Sequence, residues 1–116
     1  MQKQLVGILL FVYEKKDFAE NISGVRSDLI PVGIMGVMGN KGGVAIRFDV
    51  WDSSFCVINS HLNAGQGNTP RRNQDYLDIS TNLAFEGEGG TPMGIFEHDF
   101  LFWMGDLNYR INGDNE

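Results

Sequence analysis

The 116-residue chain is long enough for one small domain and too short for two. Its apolar fraction of 42% is ordinary, which favours a packed core over disorder. The formal net charge of −6 argues against general nucleic-acid affinity and against a polybasic membrane anchor, but a few basic groups in a cleft would still suit an anionic substrate.

The first apolar run, residues 5–13, is nine residues long, which is half of what a bilayer needs. Lys3 precedes the run, as in a signal peptide, but no small-residue cleavage pattern follows it, so we predict a central strand over residues 4–13 instead. Cys56 is the only cysteine and lies inside a later apolar run. We expect it to be a small core residue of a protein from a reducing compartment.

Three apolar residues in the next, polar segment have helical spacing and predict one or two helical turns: Phe18, Ala19 and Ile22. Residues 30–38 are apolar but interrupted by glycines, which predicts a kinked strand or a backbone that packs closely against another element. The composition of residues 39–43 predicts a tight turn.

Residues 44–51 alternate in polarity and predict a strand. Arg47 and Asp49 fall on one face, and the apolar residues fall on the other: Val44, Ile46, Phe48 and Val50. After a turn at residues 52–54, residues 55–60 are predicted to return as the antiparallel partner of this strand.

A polar, glycine-rich loop over residues 63–68 precedes a predicted helix. Thr69 suits the N-cap position, and Pro70 suits the first helical position. Apolar residues recur at i, i+3 and i+7, namely Tyr76, Ile79 and Leu83. The helix is therefore predicted to run to about Glu86 and to end at Gly87.

Five consecutive apolar residues, 100–104, predict a last strand that is buried on both faces, because no polar alternation interrupts them. Gly105 is expected to end this strand. If the backbone stays extended, Asp106 and Asn108 leave on the same face and Leu107 on the other. One antiparallel pair and two strands buried on both faces predict an α+β sandwich rather than a doubly wound parallel sheet.

Polar groups lie at three strand ends: Asn40 and Lys41 before one strand, His61 after a second, and Asp106 with Asn108 after a third. Ligands collect where strand ends open a crevice. Such a set would suit hydrolysis of a phosphate ester. Lys41 and His61 would donate to phosphoryl oxygens, Asp106 would orient or deprotonate the attacking water, and a divalent ion would neutralise developing charge.

Each of these features also has an ordinary structural explanation. A histidine after a strand is often only a hydrogen-bonding group, Asn-Lys-Gly-Gly is often a solvated turn, and Gly-Asp after a core strand is often a turn. Arg71 and Arg72 at a helix start are unfavourable with the helix dipole, which indicates a partner carboxylate or phosphate. From the residues alone, phosphate-ester hydrolysis and a purely structural set both stay open.

Four blocks in this sequence resemble the inositol polyphosphate 5-phosphatases of the endonuclease/exonuclease/phosphatase superfamily. They are Gly-x-x-Gly-Asn-Lys-Gly-Gly-Val-Ala-Ile-Arg-Phe at 36–48, Asn-Ser-His-Leu at 59–62, Arg-Arg-Asn-Gln-Asp-Tyr at 71–76 and Trp-Met-Gly-Asp-Leu-Asn-Tyr-Arg-Ile at 103–111. The blocks follow the family's order and spacing, and the resemblance covers nearly the whole chain. Within the family, the chain is most similar to the group of the oculocerebrorenal (Lowe) phosphatase.

The resemblance implies a partial four-layer α/β sandwich of the DNase I-like type, with mostly antiparallel strands. It implies magnesium-dependent removal of the 5-phosphate from phosphoinositides or soluble inositol phosphates by direct attack of water. His61 matches the phosphate-contacting histidine, Asp106 the aspartate that acts on water, and Asn108 the asparagine that helps hold the scissile phosphate.

Other motif positions are implied to bind substrate or to support the site. Tyr109 matches an aromatic position that faces the neighbouring phosphate of the inositol ring. Asn40, Lys41 and Arg110 are assigned to phosphate recognition or site support. The remaining motif residues, Arg72 and Asn73, are expected to brace the site from outside.

The resemblance also implies where the protein works and what it binds. Residues 18–25 occupy the place where relatives approach the membrane and acyl chains. We therefore expect a cytoplasmic protein, peripheral to membranes, that meets phosphoinositide headgroups or soluble inositol phosphates and no nucleic acid.

Several parts of the family pattern are absent. The magnesium-binding glutamate is expected upstream of residue 1, so no metal ligand of that kind is expected in this sequence, and the Pro-x-Trp-x-Asp-Arg and Ser-Asp-His segments are missing. Residues 1–116 are thus expected to be the middle third of a catalytic domain and to be inactive alone. The alternatives are a magnesium-dependent nuclease of the same superfamily, a non-catalytic inositol-phosphate-binding fragment, or an unstable remnant.

Overall fold

The computed structural model describes residues 1–33 and 40–111 of the chain. Within these ranges it contains eight strands and one α-helix. In chain order they are β1 (Gln2–Leu5), β2 (Ile8–Phe11), β3 (Ile22–Pro31), β4 (Gly42–Val50), β5 (Ser53–His61), α1 (Thr69–Asn82), β6 (Ala84–Glu86), β7 (Pro92–Gly94) and β8 (Phe100–Asp106). Among the described helices, none has the length and apolar character needed to cross a bilayer.

The main sheet has the strand order β3-β4-β5-β8. The first two contacts are antiparallel, which confirms the predicted pairing of β4 with β5, whereas β8 runs parallel to β5. At one end of the sheet, His61 is the partner of Gly42 on one side and of Asp106 on the other. This register brings the start of β4 and the ends of β5 and β8 together.

At the other end of the sheet, Asp99 fixes the start of β8 to β5. Its carboxylate accepts hydrogen bonds from the Ser54 backbone N–H at 2.8 Å and from the Ser54 hydroxyl at 2.9 Å. These bonds hold the pKa of Asp99 below its ordinary value, because they favour the charged form. The β5–β8 register is thus anchored far from the polar strand ends.

The sheet is covered on both faces. On one face, the β1–β2 hairpin packs against the apolar residues of β4, and this cluster includes Ile8, Leu10, Val44, Ile46 and Phe48. On the other face, α1 and the β6–β7 region pack against β4 and β5, and this cluster includes Ala45, Cys56, Ile58, Ile79, Leu83, Phe85 and Ile95. The predicted alternation of β4 is confirmed, because the apolar set faces the hairpin.

The prediction of a single strand over residues 4–13 is wrong. The segment is an antiparallel hairpin in which Leu5 pairs with Ile8, and Gly7 has a φ of 79°. A turn of two residues needs such a left-handed position, which glycine adopts without strain. Burial of alternate residues in β2 shows that only one of its faces meets the core.

Strand β3 was not predicted, although the expected helical turns before it are present as a 3₁₀ helix, Lys16–Asn21. Gly24 has a φ of 58°, and the pairing with β4 shifts between Ser23 and Arg26. This bulge breaks the alternation that marks a strand in a sequence. Ile30 and Pro31 end β3, whereas residues 34–38 of the predicted kinked strand lie outside the described residues.

Helix α1 is shorter than predicted. Asn68, not Thr69, is the N-cap residue, and Leu83 has an extended conformation. Residues 84–86 form β6, which pairs with β7 and carries the buried Phe85 into the core. Tertiary packing therefore ends the helix one turn before the glycine that was expected to stop it.

The prediction that the last strand is buried on both faces is also wrong. Leu101 and Trp103 pack against the core on the α1 side. On the other face, Phe100 is 47% exposed, Phe102 is 50% exposed and Met104 is 47% exposed. The hairpin covers β4 and β5 on that face, and β8 is an edge strand within the described part of the chain.

An exposed apolar face on an edge strand predicts self-association of the isolated chain. Phe102→Lys should raise the concentration needed for association by about tenfold or more, because it places a charge in that face. Sedimentation velocity over a concentration series measures this. Phe96→Lys is the matched control, since Phe96 is 67% exposed on the 3₁₀ helix Ile95–Glu97; equal association of both variants would contradict the prediction.

Cys56 is completely buried in β5, and burial raises its pKa to about 12. At pH 8 the folded protein should therefore react with iodoacetamide about 10³-fold more slowly than a free thiol, because the thiolate is the reactive form. Labelling followed by mass spectrometry with and without denaturant tests this. Rapid labelling of the folded chain would show that the α1 face of the sheet is open.

Candidate active site

The polar groups at the three strand ends meet in one place. His61 Nε2 lies 3.7 Å from Asp106 Oδ2 across the β5–β8 pair. Lys41, next to the start of β4, places its Nζ 2.5 Å from His61 Nε2. Because an ammonium can only donate, the imidazole Nε2 accepts this hydrogen bond. An ammonium, an imidazole and a carboxylate thus lie side by side, in that spatial order, along the end of the sheet.

Asn108 joins this group through the backbone of Leu62. The Leu62 N–H donates to the Asp106 carbonyl at 3.0 Å, and the Asn108 Nδ2 donates to the Leu62 carbonyl at 2.9 Å. The residue after His61 is therefore bonded to both other candidate catalytic residues. Among the described residues Asn108 Nδ2 makes this one hydrogen bond, so its second N–H can donate to a ligand.

The expectation that residues 106–108 stay extended is wrong. Asn108 has a φ of 54°, and its backbone N–H donates to Asp106 Oδ1 at 3.0 Å. An asparagine tolerates the left-handed conformation, and a preceding aspartate often closes such a turn. The turn, rather than strand alternation, brings Asn108 to the site.

A cavity of about 330 Å³ opens beside these groups. It is lined by Gly7, Ile8, Leu9, Asn59, Ser60, His61 and Asp106. Asn59 was not predicted as a site residue, and it ties the hairpin to the sheet by donating from Nδ2 to the Leu9 carbonyl at 2.9 Å. Its position two residues before His61 on the same strand face was the available signal.

Gly105 is needed where β8 meets β5. Its φ is 124°, and a Cβ at this position would collide with the Ser60 carbonyl oxygen. The Gly105 backbone is therefore turned so that a side chain would point into the β5–β8 ladder, and only glycine fits there. The next pair in this register is His61 and Asp106.

The predicted substrate-binding residues lie at the same end of the sheet. Arg110 donates from Nη2 to Asn108 Oδ1 at 3.3 Å, and Asn40 lies against the Gly7 turn that lines the cavity. The Tyr109 hydroxyl donates to Asn73 Oδ1 at 2.6 Å. Their binding roles stay predictions, but the structure places all four assigned residues beside His61 or its neighbours.

The first turns of α1 hold the loops of the site. Arg72 is 1% exposed, lies 5.3 Å from the centre of the Tyr109 ring, and donates from Nη1 to the Gly65 carbonyl at 2.8 Å. Arg71 forms an ion pair with Asp75 at 3.0 Å. The partner carboxylate indicated by the arginine pair is therefore present, within the same helix.

Residues 18–25 lie away from this site. The Phe18 ring packs 5.8 Å from the Trp51 ring, and Trp51 follows the far end of β4. A nine-residue strand is about 30 Å long. The segment therefore lies at the opposite end of the sheet from the candidate site, and its approach to a membrane and acyl chains stays a prediction.

A complete metal site is not formed by residues 1–33 and 40–111, since no three His, Cys, Asp or Glu side chains there lie close enough to hold an ion. Asp106, whose side chain is 65% exposed, offers carboxylate oxygens of the kind that hard cations prefer. The described residues therefore fit one ligand of a divalent ion and not the full set.

Comparison with known proteins identifies the family. All residues 1–116 match the sequence profile of the Endonuclease/Exonuclease/phosphatase family 2. The chain belongs to this family.

Two individual relatives show which members of the family this chain resembles. Mouse type II inositol 1,4,5-trisphosphate 5-phosphatase is 50% identical over 110 residues, which are 93% of this chain and 11% of that protein. Human synaptojanin-1 is 43% identical over 116 residues, covering 98% of this chain and 7% of that protein. The chain thus spans about a tenth of the length of these curated relatives.

A solved structure shows the same fold. The crystal structure of the inositol polyphosphate 5-phosphatase domain of SPsynaptojanin, in complex with inositol (1,4)-bisphosphate and a calcium ion, matches with a TM-score of 0.85 and 41% sequence identity. The match covers 97% of this chain and 31% of that chain. The predicted DNase I-like α+β sandwich with mostly antiparallel strands is confirmed.

Because the described residues supply only part of a metal site, we predict that the 116-residue chain binds Mg²⁺ no more tightly than about 1 mM. Isothermal titration calorimetry on the wild type and on Asp106→Asn measures this affinity. A dissociation constant below about 100 μM that is lost in Asp106→Asn would contradict the prediction.

Proposed function

We propose that this chain is part of the catalytic domain of an inositol polyphosphate 5-phosphatase. The parent enzyme would remove the 5-phosphate from inositol polyphosphates or from the headgroups of phosphoinositides. The observation that carries this proposal is the meeting of His61, Asp106 and Asn108 around the Leu62 peptide, with His61 and Asp106 lining one cavity. The names of the similar proteins support the same reaction.

The reaction would use the side chains in complementary ways. Water attacks phosphorus, and the new P–O bond forms as the bond to the inositol oxygen breaks. Asp106 orients the water and accepts its proton, and the leaving inositol oxygen takes up a proton from solvent. Lys41 would turn its ammonium from His61 Nε2 to the phosphoryl oxygens, where negative charge develops, and His61 would then donate to them through a ring N–H. Among the described contacts, Asn108 uses one N–H of Nδ2 to hold the Leu62 carbonyl, which leaves its second N–H to join these donors.

Recognition of the inositol ring would fall to the segment after Asn108. Tyr109 is tied to Asn73 on α1, and Arg110 is tied to Asn108, so both extend the phosphate-binding surface in fixed directions. The Arg110 guanidinium would contact a second phosphate next to the scissile one, and the Tyr109 side chain would face that phosphate. The solved relative, which contains inositol (1,4)-bisphosphate, is consistent with a substrate that carries several phosphates.

We infer that the ion used by the parent enzyme is Mg²⁺, with Asp106 as one ligand and the remaining ligands outside the described residues. The ion would supply charge neutralisation at the scissile phosphate when bound. For a phosphoinositide substrate the enzyme would work at a membrane surface, and we propose a cytoplasmic location peripheral to membranes. The narrower likeness to the oculocerebrorenal group stays a prediction.

We predict that the 116-residue chain releases no phosphate from inositol (1,4,5)-trisphosphate or from phosphatidylinositol (4,5)-bisphosphate vesicles, because site groups are missing. A catalytic domain that extends this sequence on both sides should release it in the presence of Mg²⁺. In that domain, Asp106→Ala should lower kcat/KM by about 10³-fold or more. A malachite-green assay with HPLC of the inositol products measures both.

Three results would contradict the proposal. Turnover by the isolated chain that Asp106→Ala abolishes would show that the 116 residues suffice. Cleavage of DNA by the extended domain, with inositol phosphates left intact, would favour a nuclease of the same superfamily. Unchanged kcat/KM in Asp106→Ala would remove Asp106 from the mechanism.

A further inference from the structure

Asp75 is a buried carboxylate on the second turn of α1, and it is completely inaccessible to solvent. Its Oδ2 accepts two hydrogen bonds from Asn63, one from the backbone N–H at 2.8 Å and one from Nδ2 at 2.7 Å. Its Oδ1 is paired with Arg71 Nε at 3.0 Å. One carboxylate thus holds a loop residue at two points while a cation from its own helix balances its charge.

Stability alone does not account for this arrangement. Removing a charged pair from water costs about as much free energy as the two charges gain by attracting each other. Apolar residues of similar volume therefore often stabilise a core equally well. What apolar residues cannot do is fix the position of a peptide N–H. The contacts of Asp75 therefore point to a geometric role in the loop that contains Asn63.

That loop begins directly at the candidate active site. Leu62, the residue between His61 and Asn63, donates its N–H to the Asp106 carbonyl and accepts the Asn108 Nδ2 hydrogen bond on its own carbonyl. The carbon of this Leu62 carbonyl is bonded directly to the Asn63 nitrogen that Asp75 holds. Any rotation of that peptide plane would move the acceptor of Asn108 and the donor to Asp75 together.

We propose that Asp75 is a positioning residue for the phosphate-binding groups. By holding Asn63, it fixes the Leu62–Asn63 peptide plane, and this plane orients the Asn108 carboxamide relative to His61 and Asp106. Its importance for hydrolysis rests on the proposed function, whereas its effect on Asn108 does not.

A second set of hydrogen bonds should hold the loop in place when the contacts of Asp75 are lost. The effect of Asp75 on Asn108 can therefore be measured apart from an effect on folding. Arg72 Nη1 donates to the Asn63 carbonyl at 3.3 Å and to the Gly65 carbonyl at 2.8 Å. Leu62 is also packed in the core on the α1 face. Loss of Asp75 should therefore loosen the peptide plane without releasing the loop from the helix.

The test compares Asp75→Leu with the conservative Asp75→Asn in the 116-residue chain. Asp75→Asn keeps an oxygen that accepts from Asn63 and should keep Asn108 exchange near the wild-type value, while it loses the ion pair with Arg71. Asp78→Leu is the matched control, because Asp78 lies on the same helix and accepts a bond only from the Gln74 side chain at 2.8 Å among the described contacts of its carboxylate. Asn63→Ala removes the Nδ2 donor to Asp75 and leaves the backbone N–H donor in place.

The first readout is the nuclear magnetic resonance signal of the Asn108 side-chain NH₂ group and its exchange with water. In Asp75→Leu, exchange of this group and of the Asn63 amide should rise by about tenfold or more, while the Ile58 amide in β5 stays protected. Asn63→Ala should raise Asn108 exchange in the same direction. Asp75→Asn and Asp78→Leu should stay within about threefold of the wild type.

The second readout is the affinity for inositol (1,4)-bisphosphate, which should fall by about tenfold in Asp75→Leu and be restored in Asp75→Asn. Unchanged Asn108 exchange in a folded Asp75→Leu variant would overturn the inference. If Asp75→Leu does not fold, unchanged Asn108 exchange in Asn63→Ala would overturn it instead. If the wild type fails to bind the bisphosphate, the proposed function is weakened, and Asn108 exchange alone decides the role of Asp75.

Discussion

The parallel pairing of β5 with β8 is the constraint on which the site depends. If the two strands were antiparallel, their C-terminal ends would lie at opposite ends of the sheet. Because they are parallel, His61 and Asp106 lie side by side. Gly105 leaves room for the Ser60 carbonyl where a side chain would collide with it, and Asp99 anchors the same register at the far end. The catalytic chemistry we propose therefore follows from strand direction before it follows from any single side chain.

Helix α1 completes the site by carrying charged groups into the interior. Arg72 and Asp75 are both almost fully buried, and they bond to the loop after His61 rather than to each other. The same helix reaches the segment after Asp106 through Asn73 and Tyr109. One helix thus spans the two loops that carry the candidate catalytic residues, so its first turns act as a rigid support for both.

The sequence was most informative where local pattern and tertiary environment agree. The alternation in β4 was sufficient to predict that strand and its faces, because both sides of β4 are buried by regular elements. The strand-end positions of Lys41, His61 and Asp106 were sufficient to predict that they meet. The resemblance in four motifs supplied the reaction class, which residue types alone left open.

The errors have physical causes that a single sequence does not display. Gly7 divides an apolar run into a hairpin, and the bulge at residues 23–26 hides β3. The apolar run of β8 suggested burial on both faces, yet Phe100, Phe102 and Met104 face outward because no described element covers them. Asn108 reaches the site through a left-handed turn closed by Asp106, a tertiary detail that strand alternation cannot foresee. Trp51 similarly takes a positive φ of 50° at the β4–β5 turn, one residue earlier than expected.

We expect one phosphate group to bind where the side chains of His61, Asp106 and Asn108 converge. Titration of the isotopically labelled chain with inositol (1,4)-bisphosphate, followed at the His61 ring, the Asp106 backbone and the Asn108 side-chain NH₂ group, tests it most directly. All three signals should shift with a single dissociation constant, in the range of about 1 mM. Separate constants for the three groups, or shifts confined to the exposed Lys15 and Lys16, would contradict it.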